Sequence, residues 1–238
     1  MNRKLRCAAI STKIKSIEND HPKVKSLILS SSNPSIFSAG IDLKELYSPC
    51  PERLPKFWTA FQNLFVDLYG SRLAVIGAIE GHAPAAGCML AMACDYRIMA
   101  ASVPGEAPFK IGLNETRFGI VAPPWMAQLM IRTIGFRKAE HALSLGTLFT
   151  PENARNIGLV DELVPTSQNV LEICRKTAEK WNEIPMQARS ITKMLTRKEL
   201  LEELISTREG DKENFCKLVQ SEPVQTALGL YLKRLKRK

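Results

Sequence analysis

The chain has 238 residues, 45% of them hydrophobic and 24% charged, which is enough for one well-filled core and excludes an intrinsically disordered protein. Its 33 Lys and Arg against 24 Asp and Glu leave a formal charge of +9, which suits a polyanionic partner: nucleic acid, an acidic membrane face or a phosphate-bearing small molecule. No run approaches the roughly 20 apolar residues of a membrane span, no signal-type segment opens the chain, and six scattered cysteines without a C-x-x-C pair read as reduced packing residues.

Residues 4–18 place Leu5, Ala8, Ala9, Ile14 and Ile17 at mostly three- and four-residue spacing, which predicts an amphipathic helix that starts near Met1 and ends before His21-Pro22. Residues 24–29 read as a strand and 30–34 as a polar loop. In Ile36-Phe37-Ser38-Ala39-Gly40-Ile41-Asp42-Leu43 the Ala39-Gly40 pair breaks an apolar run and bares the main chain. Taken alone, it is also consistent with a plain loop before a helix capped by Asp42 or Ser48. Residues 51–69 predict a helix with Trp58, Phe61, Leu64, Phe65 and Leu68 along one side, a pattern that fits core.

The stretch 75–95 organises the rest. An apolar strand over 75–79 leads into a turn almost without side chains, Gly81-His82-Ala83-Pro84-Ala85-Ala86-Gly87, and then into an apolar helix starting near Ala86. The unpaired N–H groups and positive dipole end of such a helix suit a negative oxygen; a tight strand-to-helix joint needs small residues too.

Residues 96–101 predict another strand, 102–108 a surface loop, and 109–113 a strand that delivers Glu115 to an apolar neighbourhood. A carboxylate there is either an ordinary surface or N-cap acid, or a base whose pKa desolvation has raised. Helices follow over 121–134, with Pro124 in the first turn, 136–145 and 151–157, then a short strand over 159–164. From Val170 the pattern is helical only, over 170–183, 187–207, 211–219 and 222–238. The change of texture near Ile184-Pro185 divides the chain into an α/β body, 1–183, and a C-terminal helical region, 184–238. The basic run from Tyr231 to Lys238 fits either a solvated helix face or a phosphate contact. His21, His82 and His141 lie far apart in sequence and read as structural, so no metal site is expected.

Three segments together add to this reading. Phe37-Ser38-Ala39-Gly40-Ile41-Asp42-Leu43, then Gly81 to Cys88 with Cys94-Asp95-Tyr96-Arg97, then Gly112-Leu113-Asn114-Glu115-Thr116-Arg117-Phe118-Gly119-Ile120, resemble in order and spacing the active-site segments of the crotonase (enoyl-CoA hydratase/isomerase) superfamily. The wording Gly-Leu-Asn-Glu-Thr resembles its isomerase branch most. The resemblance implies an α/β fold, a ClpP/crotonase-like spiral of β-β-α units with a C-terminal helical region that builds a homotrimer or a dimer of trimers. It also implies two strands ahead of the first helix that this sequence does not contain, and a 102–108 loop longer than usual, next to the strand carrying Glu115.

For chemistry, the resemblance implies that the main-chain N–H groups of Ile41 and Ala86 grip a thioester oxygen, that Glu115 is the base, and that Ala39, Gly40, Asp42, Leu43 and Asn114 contact a fatty enoyl-CoA. Coenzyme A is then part of the substrate and no separate cofactor is expected; a mitochondrial matrix location is implied as well. Superfamily hydratases hold water between two glutamates, one of them two residues after the position of Gly87. Met89 stands there, which favours shifting a double bond over adding water. An inactive or RNA-binding protein on the same fold is the reading from another class; the aromatic residues sit mainly on core-like helix faces, which argues against RNA, and no DNA partner is expected.

Overall fold

The computed structural model describes residues 4–165 and 169–235, so Met1 and the closing Lys236-Arg237-Lys238 of the basic run lie outside the described residues. In chain order the elements are α1 (Lys4–Asp20), β1 (Ser26–Leu29), α2 (Leu43–Leu46), α3 (Leu54–Tyr69), β2 (Ala74–Ile79), β3 (Ala83–Pro84), α4 (Ala86–Ala93), β4 (Tyr96–Ala100), β5 (Ile111–Gly112), a 3-10 turn (Glu115–Phe118), α5 (Pro124–Ile134), α6 (Phe136–Leu145), α7 (Pro151–Asn156), β6 (Glu162–Val164), α8 (Val170–Glu183), α9 (Met186–Gln220) and α10 (Glu222–Leu235).

Four strands form a parallel sheet in the order β1-β2-β4-β6, and β3 pairs with β5, also in parallel, beside it. Every residue of β2 is buried, as expected of a strand covered on both faces. Alternation along the strand then assigns the faces. Ile76 and Ala78 join Ile98 and Val164 under α8, whose Val170, Cys174 and Ala178 cover them. Val75 and Ile79 point the other way, into the larger core shared with α3, α4, α5, α9 and α10.

The terminal region is stapled to the sheet by ions. Asp95, just after α4, accepts from Val75 N at 2.7 Å and pairs with Lys193 Nζ at 2.7 Å and Arg197 Nη2 at 2.9 Å, both from α9. Lys193 Nζ also donates to Leu73 O at 3.0 Å, and burial brings its pKa down to about 8. The Arg197 guanidinium lies 4.2 Å over the Tyr69 ring and donates to Tyr69 O at 2.9 Å.

Several expected boundaries move, among them that of β1, which starts at Ser26 rather than 24, and that of α5, which starts at Pro124 rather than 121. The helices expected over 187–207 and 211–219 are one helix, α9, because Gly210 lacks the positive φ of a helix stop and its neighbour Asp211 is anchored by Trp58 Nε1 and Gln62 Nε2, each at 2.7 Å. The strand over 109–113 shrinks to Ile111–Gly112, the residues in register with Ala83 and Pro84 of β3. Helix α3 starts at Leu54 rather than 51, and β6 starts at Glu162 because 159 and 160 are still bound to Ala154 O of α7. Among the described residues no helix is long and apolar enough to cross a membrane.

Truncating Asp95 leaves Lys193 and Arg197 buried without their carboxylate, so Asp95→Ala should lower the unfolding free energy by about 3–5 kcal/mol in denaturant titration. A loss under about 1 kcal/mol would show that the staple is dispensable.

Candidate active site

Two segments distant in sequence are locked together at the front of α4. Phe37 N and Ser38 N donate to His82 O at 3.0 and 3.2 Å, and His82 N returns a bond to Ser35 O at 2.9 Å. The approach is so close that a Cβ on Gly81 would lie 2.1 Å from the Ser35 carbonyl carbon, and one on Gly87 would lie 2.4 Å from Ser38 O. Gly40, at φ +83°, would place its Cβ 3.2 Å from both Pro84 O and Ala85 Cβ and 3.4 Å from Ala86 N. The Ala39-Gly40-Ile41 main chain therefore lies against the first residue of α4. As the first helical residue, Ala86 has no carbonyl one turn back inside the helix, so its N–H is available to something in front.

Ala85 forms the corner ahead of that amide at φ 51°, ψ −122°, a conformation that only glycine adopts readily. It is held there from both sides: Ala85 N donates to Gly112 O at 2.8 Å and Ala85 O accepts from Met89 N at 3.1 Å. The turn expected to suit a negative oxygen is thus a tight strand-to-helix joint as well.

Glu115 reaches this place from the opposite wall. Instead of standing at a strand end, it opens the 3-10 turn, with Asn114 before it and Gly119, at φ +72°, closing it. Thr116 Oγ1 fixes the turn to α6 by donating to Leu143 O at 3.0 Å. The loop over 102–108 is tied back by Ser102, whose N and Oγ donate to Glu152 at 2.9 and 2.8 Å, and β5 then re-enters the fold beside β3. The loop leaves Glu115 facing inward.

A cavity of about 140 Å³ lies between these walls, lined by Ala39, Ile41, Leu43, Ala86, Asn114 and Glu115 among others. Burial raises the Glu115 pKa from 4.5 to about 7, and its Oε2 is buried with no hydrogen-bond partner among the described residues. Asn114 Oδ1 is likewise buried and unpartnered. Glu115 is the one carboxylate among the lining residues. Gly40 packs behind this wall, and Asp42 caps α2 by accepting from Lys44 N at 3.0 Å; neither lines the cavity.

Several lining residues escaped the sequence reading. Trp58 and Phe215, stacked with ring centroids 3.5 Å apart, form part of the wall, and Tyr231 of α10 packs edge-on to Phe118 at 4.5 Å. The aromatic stripe on α3 was legible as core, but nothing in the sequence brings residues 215 and 231 to it. His82 is structural, accepting from Lys110 N through Nδ1 at 3.1 Å. Among the described residues no three His, Cys, Asp or Glu side chains gather as metal ligands would.

Ile41 and Ala86 line the same cavity as the buried carboxyl group of Glu115, a grouping that suits proton abstraction beside a carbonyl. The model of the family described as enoyl-CoA hydratase/isomerase matches residues 8–238. The chain belongs to that family. It is 44% identical over 225 residues to the enoyl-CoA delta isomerase 1, mitochondrial, of Rattus norvegicus, covering 94% of this chain and 76% of the relative, and 40% identical to the Homo sapiens protein of that name, covering 94% and 72%. The crystal structure of human mitochondrial delta3-delta2-enoyl-CoA isomerase superposes with a TM-score of 0.92 at 39% identity, covering 97% of this chain and 87% of that one. An enoyl-CoA hydratase from Bacillus halodurans shares the fold, with a TM-score of 0.83 at 24% identity over 95% and 89% of the two chains. This family fold is the α/β architecture with a helical C-terminal region that the sequence led us to expect.

Two outcomes test the geometry. Ala85→Gly should relieve the corner and raise the unfolding free energy by about 1 kcal/mol, a Tm rise of about 2–4 °C; a fall in Tm would mean that the corner is unstrained. Because the Glu115 pKa is higher folded than unfolded, its stabilising contribution is present below pH 4.5 and lost as pH rises through 7. Glu115→Gln should therefore gain on the wild type by on the order of 3 kcal/mol between pH 4.5 and 8. A pH-independent difference would contradict the raised pKa.

Proposed function

We propose that the protein is a Δ3,Δ2-enoyl-CoA isomerase, moving a 3-cis or 3-trans double bond of a fatty acyl-CoA to 2-trans during β-oxidation. The observation that carries the reading is Glu115, the one carboxylate lining the cavity, facing the wall that bears Ile41 and Ala86. In this scheme the thioester oxygen accepts from the N–H groups of Ile41 and Ala86, while Ala39, Leu43 and Asn114 flank the acyl group. The Glu115 carboxylate takes a proton from C2; the electron pair of that C–H bond becomes a C1=C2 double bond, the carbonyl π pair moves onto the thioester oxygen, and a dienolate forms. The enolate then collapses, C4 takes the proton back from Glu115, and the double bond is left between C2 and C3.

A single acid suffices because each step reverses the charge of the one before. Each oxyanion donor is worth roughly 2.7–4 kcal/mol of barrier. A carboxyl group with a pKa of about 7 is well matched to both halves of the transfer. Hydration would need a second group to orient water, and the position two residues after Gly87 holds Met89, fully buried. The reaction needs no cofactor beyond the coenzyme A of its substrate. The names of the relatives support a mitochondrial setting. Residues 184–238 serve as the oligomerisation region of a homotrimer or a pair of trimers, a role that the exposed Ile191, Met194 and Leu195 of α9 suit.

Purified protein should convert 3-enoyl-CoA into trans-2-enoyl-CoA, with a rate that falls as pH drops below about 7 and the base is protonated. Glu115→Gln should lower kcat by roughly 10²–10⁴ while acyl-CoA binding persists. Equal turnover by the Gln variant would remove Glu115 from the mechanism.

A further inference from the structure

Helix α4 carries the Ala86 amide at its start and is only eight residues, about 12 Å, long. Its other end is buried, with Ala91, Ala93 and Cys94 fully covered. The last carbonyls of a helix have no partner inside it, so at a buried end the donors must come from elsewhere in the fold. Arg197 of α9, 104 residues from Ala93, is such a donor: its Nη1 donates to Ala93 O at 3.2 Å and its Nη2 to Cys94 O at 3.4 Å.

The same two nitrogens reach two further acceptors. Nη2 pairs with Asp95 Oδ1 at 2.9 Å, and Nη1 donates to the carbonyl of Tyr69, the last residue of α3, at 2.9 Å. One planar fork thus holds the end of α4, the residue after it and the end of α3. A lysine at this place would bring a single nitrogen on a flexible stem. Lys193, the other cation of the cluster, reaches differently: its Nζ bonds Asp95 Oδ2 and Leu73 O, neither of them a carbonyl of α4. Asp95 offsets much of the guanidinium charge, so what Arg197 gives α4 is position rather than field.

We propose that Arg197 is a positioning residue for the reaction: by gripping the C-terminal carbonyls of α4 against α3 and α9, it fixes the helix along its axis and so places the Ala86 N–H at the opposite end. The proposal rests on the isomerase reading, which assigns that N–H to the thioester oxygen. A helix of two turns moves as one body, since its internal bonds tie residues four apart. A main-chain donor acts through where it stands, and a displacement of about 1 Å costs up to roughly a hundredfold in rate. An arginine that served stability alone would change the melting temperature and leave the site as it is.

The test is isotope-edited infrared spectroscopy of hexanoyl-CoA carrying carbon-13 at the thioester carbonyl, which reads the oxyanion site without turnover. Binding to the wild type should lower the carbonyl stretching frequency, as donors to that oxygen do. Arg197→Gln should lose at least about half of that displacement and lower kcat on 3-hexenoyl-CoA by roughly tenfold or more, with KM moving less than about threefold. Arg197→Lys, which keeps a cation beside Asp95 and so tests the fork if the Gln variant fails to fold, should show the same loss. Val164→Ala, in the separate core under α8, should lower Tm and leave the band and kcat at wild-type values. A lower Tm for Arg197→Gln with band and kcat unmoved, full recovery by Arg197→Lys, or an equal loss in Val164→Ala would overturn the proposal. An unshifted band in the wild type would sink the isomerase reading and the proposal with it, whereas a wild-type displacement that survives in both Arg197 variants overturns the proposal alone.

Discussion

The site depends on how closely two backbones approach. Gly87 has Ser38 O where its Cβ would be, and Gly81 has the Ser35 carbonyl group in the same place. A side chain at either position would push the 35–41 segment away from α4 by more than any rotamer change could absorb. With both absent, the 35–38 segment is bonded to the main chain of His82, and Gly40, next to Ile41, packs against Ala85 and the first residue of α4. In the proposed reaction such main-chain donors would be oriented before charge develops on the substrate, so that little reorganisation energy is spent. The strain at Ala85 is the local cost of turning the chain sharply enough to present Ala86.

The same close packing governs the acid. Glu115 faces an apolar cavity with no cation among its described lining residues, and desolvation lifts its pKa to about 7. A salt bridge here would hold the carboxyl group ionised and lower its pKa, against the role proposed for Glu115. Where the protein needs ion pairs for stability, it puts them elsewhere: the Asp95, Lys193 and Arg197 staple ties α9 to the far end of α4. One end of α4 thus lines the cavity and the other anchors α9. Phe215 and Tyr231, from α9 and α10, are thereby carried to the cavity wall.

Much of this was legible in the sequence, for physical reasons. Periodicity placed the long elements, since an amphipathic run such as α3 or a fully apolar one such as β2 states its burial directly. The runs of Gly and Ala at 39–40 and 81–87 marked where backbone would be bare, and the apolar setting of Glu115 marked it as a candidate base. What failed was information that is not local. Gly210 reads as a break but stays helical, because Asp211 is held from α3, 149 residues earlier in the case of Gln62. Strand β5 is short because its length is set by what β3 can pair with. The contributions of Phe215 and Tyr231 follow from tertiary packing that no spacing rule reveals. Asp42, a candidate contact by motif, lies outside the cavity lining and caps α2, as its position before a short helix also allowed.

The central claim is that two main-chain amides and one carboxyl group converge on the same bound thioester. A crystal structure with a saturated short-chain acyl-CoA tests it most directly. The account predicts the thioester oxygen within about 3 Å of both Ile41 N and Ala86 N, with a Glu115 carboxyl oxygen facing C2. A thioester oxygen bonded to neither amide, or an acyl group lying away from Glu115, would contradict it.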